Sequence, residues 1–281
     1  MATALVSAPI AGDKLYQVRA REALPLLVRQ AEARNTITYS DLAFELGMPN
    51  PRNLNYVLGS VGRTMEGLSR KWKEKVPPIQ CVVVNGNTGL PGEGIGWFLV
   101  KKNNYTSLPA DKKRAVVKAE LAGVFGYPYW TEVLEEVGLR RHAGIAVQAL
   151  PNFGGGGEGP EHKRLKAYVA ANPAIVGLPE MAPHGTMEEC LLSGDALDVS
   201  FQHRRLWLGA EVKSHISSEL DIQRGLFQCV KYRAVMEAQA QAAGAERDVR
   251  AVLVLGCALP ARLKPLKNML GIEVVESIHP R

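Results

Sequence analysis

Asp198, Glu211 and Lys213 are the residues of this 281-residue chain whose types and spacing point most directly to chemistry. They lie within Ser193–Ser214, SGDALDVSFQHRRLWLGAEVKS. Two carboxylates and an ammonium gathered in one small volume are costly unless a divalent cation sits among them. The chemistry to expect is therefore that of a metal held by hard oxygens.

The elements around these residues are those needed to gather them. Leu197, Val199 and Phe201 alternate with Asp198 and Ser200, the period of a half-buried strand. Leu206 and Leu208 lead into a second strand, where period 2 sets Glu211 and Lys213 on one face and Val212 on the other. A turn near Gln202–Arg205 brings Asp198 beside Glu211 at the end of a hairpin. Glu161–Ala171 reads as a helix ended by Asn172-Pro173. Met187–Leu192 reads as a strand. Ser218–Gln241 is a long helix with an apolar stripe at Ile222, Leu226 and Val230. Arg250–Leu255 is a strand, Pro260–Leu270 a helix and Ile272–Val275 a last strand. The fold class is α/β, with an αβββαβ core and an extension.

The N-terminal half reads differently. Lys14–Arg34 is helical, with Pro25 kinking it or starting a second helix. Thr38-Tyr-Ser-Asp41 opens a short helix, Tyr39–Leu46, that Gly47 ends. Asn50 caps the next helix, with Pro51 at its first position and Leu54, Leu58, Val61, Met65 and Leu68 on its buried stripe. The pair forms a helix-turn-helix. A strand Ile79–Val84 and an Asn85-Gly86 turn are placed where a wing lies. Two more helices are expected near Pro109–Val124 and Tyr129–Val137, with Tyr127, Tyr129 and Trp130 packing between the halves. Lys112, Lys113 and Arg114 read as a solvated basic run. Five glycines in Gly154–Gly159 lack the Lys-Ser/Thr of a phosphate loop and read as a linker. The expected domains are 1–105 (winged-helix, α+β), 106–159 (helical connector and linker) and 160–281 (catalytic).

Composition sets the bounds. The hydrophobic fraction of 46% supports a core, no run is long enough to span a membrane, and no secretory signal is seen. Cys81, Cys190, Cys229 and Cys257 form no CxxC pair, so a cytoplasmic protein without a zinc site or disulfide framework is expected. Residues 1–110 hold 13 Lys and Arg against 8 Asp and Glu, whereas residues 151–281 hold 15 of each. A surplus of positive charge in the N-terminal half suits a polyanion or a merely solvated surface.

Two resemblances sharpen these readings. ITYSDLAFELGMPNPRNLNYVLGSV (37–61) and, more loosely, PPIQCVVVNGNTGLPGEG (77–94) resemble the DNA-binding domain of the O6-alkylguanine-DNA alkyltransferases and alkyltransferase-like proteins. The resemblance implies that the second helix enters the minor groove, with Arg52 placed to intercalate and Asn53, Asn55 and Tyr56 beside it. Cys81 lacks the flanking Pro, His and Arg of the acceptor motif, so DNA binding is carried over and alkyl transfer is not. EHKRLKAYVAANP (161–173), SGDALDVSF (193–201), AEVK (210–213) and RGLFQCVKY (224–232) together resemble the PD-(D/E)XK, or restriction-endonuclease-like, nucleases. That implies Mg²⁺, with Mn²⁺ as a substitute, on Asp198, Glu211 and the carbonyl of Val212. Lys213 orients the attacking water or shields the phosphate. Glu161 either serves a metal or opposes its helix dipole. Gln228 and Tyr232, i and i+4 on one helix, match a Gln-x-x-x-Tyr motif and support Lys213 or the phosphate, or simply pack. His162, His203 and His215 lie near in sequence without ligand spacing. The expectation is a Mg²⁺-dependent DNA endonuclease, restriction-like or concerned with repair or defence. DNA is its partner, a homodimer is admitted and no membrane is involved. The alternatives are a non-catalytic DNA-binding regulator and a damage-recognition protein of alkyltransferase-like type.

Overall fold

The computed structural model describes residues 7–99, 105–145, 147 and 159–280. It is a mixed α/β structure of two compact units, Met1–Gly144 and Ile145–Arg281. The expected glycine linker, up to residue 158, lies outside the described residues.

In the N-terminal unit, α1 (Leu15–Glu32) packs along α3 (Leu54–Trp72), and α2 (Tyr39–Glu45) precedes α3. Thr38 caps α2 by accepting the Asp41 N–H, and Gly47 leaves the helix in the left-handed region at φ 58°. Asn50 accepts the Arg52 N–H across a 3₁₀ turn, Pro51–Asn53, that leads into α3. The expected stripe of α3 is buried throughout. A two-pronged ion pair from Arg29 to Glu45, 2.8 Å on each prong, fastens α2 to α1. No helix among the described residues is long and apolar enough to cross a membrane.

Three expectations change here. Pro25 does not start a second helix, because it lies inside one continuous helix, α1. The wing hairpin does not form. Ile79–Val82 is a 3₁₀ turn, and only Val83–Val84 is extended, as β2. It pairs in parallel with β1 (Ile37–Thr38). Asn85 Oδ1 instead accepts the Asn87 and Thr88 N–H groups, and Asn85 N–H donates to the Leu90 carbonyl. That side-chain turn consumes the backbone groups a returning strand needs, and Glu93–Trp97 is a 3₁₀ helix. Third, α4 (Ala110–Gly126) and α5 (Trp130–Glu136) are not a separate connector, since Val124, Trp130, Val133 and Leu134 join the core of α1 and α3. Tyr127 stacks edge-on against Trp130 within that core and Tyr129 packs edge-on against Tyr127.

The C-terminal unit is a five-stranded sheet in the order β3 (Thr186–Cys190), β4 (Ala196–His203), β5 (Leu206–Lys213), β6 (Asp248–Leu255) and β7 (Glu273–Val275). β3, β4 and β5 run antiparallel, and β5, β6 and β7 run parallel. The helices are α6 (Pro160–Ala171), α7 (Glu219–Ala242) and α8 (Lys264–Leu270). The chain order is therefore α, three β, α, β, α, β. Leu165 and Val169 of α6 pack on Val199, Phe201, Leu208, Ala210, Val212, Val252 and Val254. Ile222, Leu226, Cys229 and Met236 of α7 pack on the other face with Leu197, Trp207 and Leu253. Gly225 permits that approach. A Cβ there would stand 2.8 Å from Leu253 Cδ1 and 3.3 Å from Lys213 Cε.

Simple alternation fails at one place. Leu197 packs on the α7 face, whereas Val199 and Phe201 pack on the α6 face. Register with β5 runs from His203–Leu206 to Val199–Ala210 and stops one residue short of Asp198. The strand re-aims at Asp198.

Candidate active site

The hairpin turns at Arg204-Arg205, with Arg204 left-handed at φ 54°. At its other end Asp198 leaves the ladder, and its Oδ2 accepts the Val212 N–H at 2.8 Å. A strand residue sends its N–H and C=O to the same edge, so the Val212 carbonyl also faces the Asp198 side. Glu211 and Lys213 share the α7 face, with Lys213 Nζ donating to Glu211 Oε1 at 2.6 Å. The structure thus brings Asp198, Glu211, Val212 and Lys213 together as the spacing implies.

Their environments differ. Glu211 is 2% exposed. Burial, then the charge of Asp198, pushes its carboxyl up to about 7, against the opposing pull of Lys213 and Tyr232. Burial also works to raise Asp198, but bonds from His162 and the Val212 N–H, with the charges of His162 and Lys213, outweigh it and hold that carboxyl below its usual range. One carboxylate is therefore ionised well below neutrality and the other is poised near it. Cys229, buried beside Glu211, has its thiol pushed well up by burial, so it is a neutral wall of the site.

The helices contribute unequally. Tyr232 OH donates to the Ala196 carbonyl at 3.0 Å, tying α7 to the strand two residues before Asp198. Gln228 Oε1, on the same helix, is buried with no hydrogen-bond partner among the described residues. Glu161 stands in the first turn of α6 and makes no hydrogen bond or ion pair with the described residues. What α6 brings to Asp198 is His162, with Nε2 3.6 Å from Oδ2, and Lys166, with Nζ 3.6 Å from Oδ1. Sequence reasoning sets His162 aside for want of ligand spacing and does not single out Lys166. Their signal is the i, i+4 spacing that sets two side chains on one helix face.

The oxygens present fit a small divalent cation. Mg²⁺ is commonly held by one or two carboxylates, with waters and substrate phosphates completing its shell. Asp198, Glu211 and the Val212 carbonyl supply hard oxygens of that kind. Among the described residues no group of three or more His, Cys, Asp and Glu side chains is arranged to hold a metal ion, so an all-protein cage of that kind is absent there.

In the N-terminal unit, Arg52, Asn53, Asn55 and Tyr56 are all exposed at the start of α3. Cys81 is fully buried, and burial, with Glu120 adding to it, raises its thiol far above its ordinary value. A thiol held neutral in this way is a poor nucleophile. No family model, no curated protein and no solved structure matches this chain.

Proposed function

We propose that the protein is a Mg²⁺-dependent deoxyribonuclease with a restriction-endonuclease-like, PD-(D/E)XK-type C-terminal unit and a DNA-binding N-terminal unit. The observation that carries the reading is the meeting of Asp198 with Glu211 and Lys213 at one end of a hairpin, with the Val212 N–H bonded to Asp198. The chain order of helices and strands around the five-stranded sheet supports the same reading. The sequence likeness in 37–61 and the exposed start of α3 support DNA as the polymer bound.

A bound Mg²⁺ supplies positive charge that activates a water and offsets charge on the phosphoryl group. Asp198, Glu211 and the Val212 carbonyl are the oxygens that would hold it. The Lys213 ammonium, tethered to Glu211, orients the attacking water and shields the phosphate oxygens. Tyr232 steadies the strand that carries Asp198. The deciding experiment is cleavage of plasmid, linear, single-stranded and modified DNA by the purified protein in Mg²⁺ and in EDTA. Binding without Mg²⁺-dependent cleavage on every substrate would leave a non-catalytic DNA-binding regulator instead.

The division of labour has its own test. In the full-length protein, Arg52→Ala is expected to weaken duplex DNA binding about tenfold, and Lys112→Ala much less. Arg52 stands at the helix start, whereas Lys112 is one exposed cation on α4. Equal losses in a salt-controlled binding titration would remove the special role of α3.

A further inference from the structure

α6 presents Asp198 with a cation that the hydrolytic reading does not use. Lys166 is only 4% exposed. Its Nζ lies 3.6 Å from Asp198 Oδ1, on the opposite side of the carboxylate from the Oδ2 that takes the Val212 N–H. It also donates to Glu188 of β3, whose side chain is 57% exposed. His162, one turn earlier on the same face, stands beside Oδ2. An ammonium this deeply buried requires anionic company. Having no free lone pair, it is no metal ligand. Beside Asp198 it contributes positive charge.

We propose that Lys166 is a built-in counter-ion of Asp198 that positions the carboxylate and lowers the affinity of the free protein for a divalent cation. The proposal rests on the metal-site reading above. Lys213 pairs with Glu211, and Lys166 stands beside Asp198 together with His162, so the two carboxylates already face positive charge before any cation arrives. Glu188 offsets Lys166 only in part, because its carboxylate is largely in water. A divalent cation then enters against two ammonium groups and becomes well balanced only when a phosphodiester adds its negative charge. Metal and DNA binding are therefore coupled, each strengthening the other. Lys166 is a positioning residue in this scheme, distinct from Lys213, which faces the reacting groups.

The test is Mn²⁺ binding to the full-length protein without DNA, followed by electron paramagnetic resonance or calorimetry. Lys166→Met is expected to bind Mn²⁺ on the order of tenfold more tightly than wild type. Lys166→Arg, which keeps the charge, is expected to bind as wild type does. Adding Asp198→Asn to Lys166→Met should abolish the gain. If Lys166→Met fails to fold, Lys166→Met with Glu188→Gln removes the ammonium together with its surface partner and should show the same tightening. Unchanged or weaker Mn²⁺ binding by the folded variants overturns the proposal. If wild-type binding depends on Asp198 but not on Lys166, the metal site stands and the counter-ion role falls. No Mn²⁺ binding by wild type or Lys166→Met overturns both.

Discussion

Asp198→Asn and Lys213→Ala are each expected to lower Mg²⁺-dependent DNA cleavage by at least about 10²–10³-fold, the usual loss when one preorganised charge-stabilising group is removed. The two variants act at different atoms. Asp198→Asn keeps the shape of the side chain and an oxygen to accept the Val212 N–H, so the hairpin end survives while the anionic ligand is lost. Lys213→Ala leaves both carboxylates in place but removes the ammonium that donates to Glu211 at 2.6 Å. It also strips a buried carboxylate of its partner, so part of any loss arises through the fold. Cleavage rates should therefore be read beside melting curves and DNA-binding titrations. Wild-type-like cleavage by either purified variant, with contaminating nuclease excluded, would remove the residue from the machinery.

Glu211→Gln is expected to do two opposite things: raise the stability of the metal-free protein above neutral pH, and abolish cleavage. Its folded-state carboxyl is raised from the ordinary 4.5 to about 7. Between those values the folded protein binds more protons than the unfolded chain, so stability falls as pH rises through that window. The stabilising effect of the protonated carboxyl is fully present below pH about 4.5 and lost by about pH 7. At 1.36 kcal/mol per unit, the loss is on the order of 3 kcal/mol. Glutamine is a permanent stand-in for the protonated acid and escapes it. In EDTA, the stability difference between Glu211→Gln and wild type should be small at pH 4.5 and grow towards pH 8. Mg²⁺ should raise the melting temperature of wild type and not of the variant, because ligand that binds only the folded state stabilises it by mass action. A difference that does not grow with pH would show that Glu211 carries no such penalty.

These two predictions rest on residues that local pattern reveals well. Alternation and a short turn suffice to pair Val199 with Ala210 and to bring Asp198 to Glu211. Caps suffice for α2, where Thr38 and Gly47 mark both ends. What local pattern hides is settled by distant partners. Val83–Val84 pairs with Ile37–Thr38 across some 45 residues, and no periodicity records that. The Asn-Gly signal is genuine turn chemistry, but Asn85 spends its side chain on a closed turn rather than on two strands. Leu197 reads as a partner of Val199 and lies on the other face, because the strand re-aims at Asp198. The role of His162 and Lys166 was hidden for a related reason. Their meaning depends on which face of α6 meets the sheet, and Leu165 and Val169 decide that only when packed.

The hairpin also dictates when the two carboxylates meet as the chain folds. Asp198 and Glu211 are joined by a turn of two residues, a contact that closes on the microsecond scale. β6 pairs with β5 across the 24-residue α7, a far longer loop to close than the hairpin. The carboxylates thus come together while water still surrounds them, and Glu211 loses that water, with the charge of Asp198 adding to the cost, when α6 and α7 cover the two faces. The electrostatic cost then lies on the native side of the folding barrier. In EDTA at pH 8, Glu211→Gln should slow unfolding much more than it accelerates refolding, which the two arms of a denaturant chevron separate. A change confined to the refolding arm would place the drying of the site before the barrier.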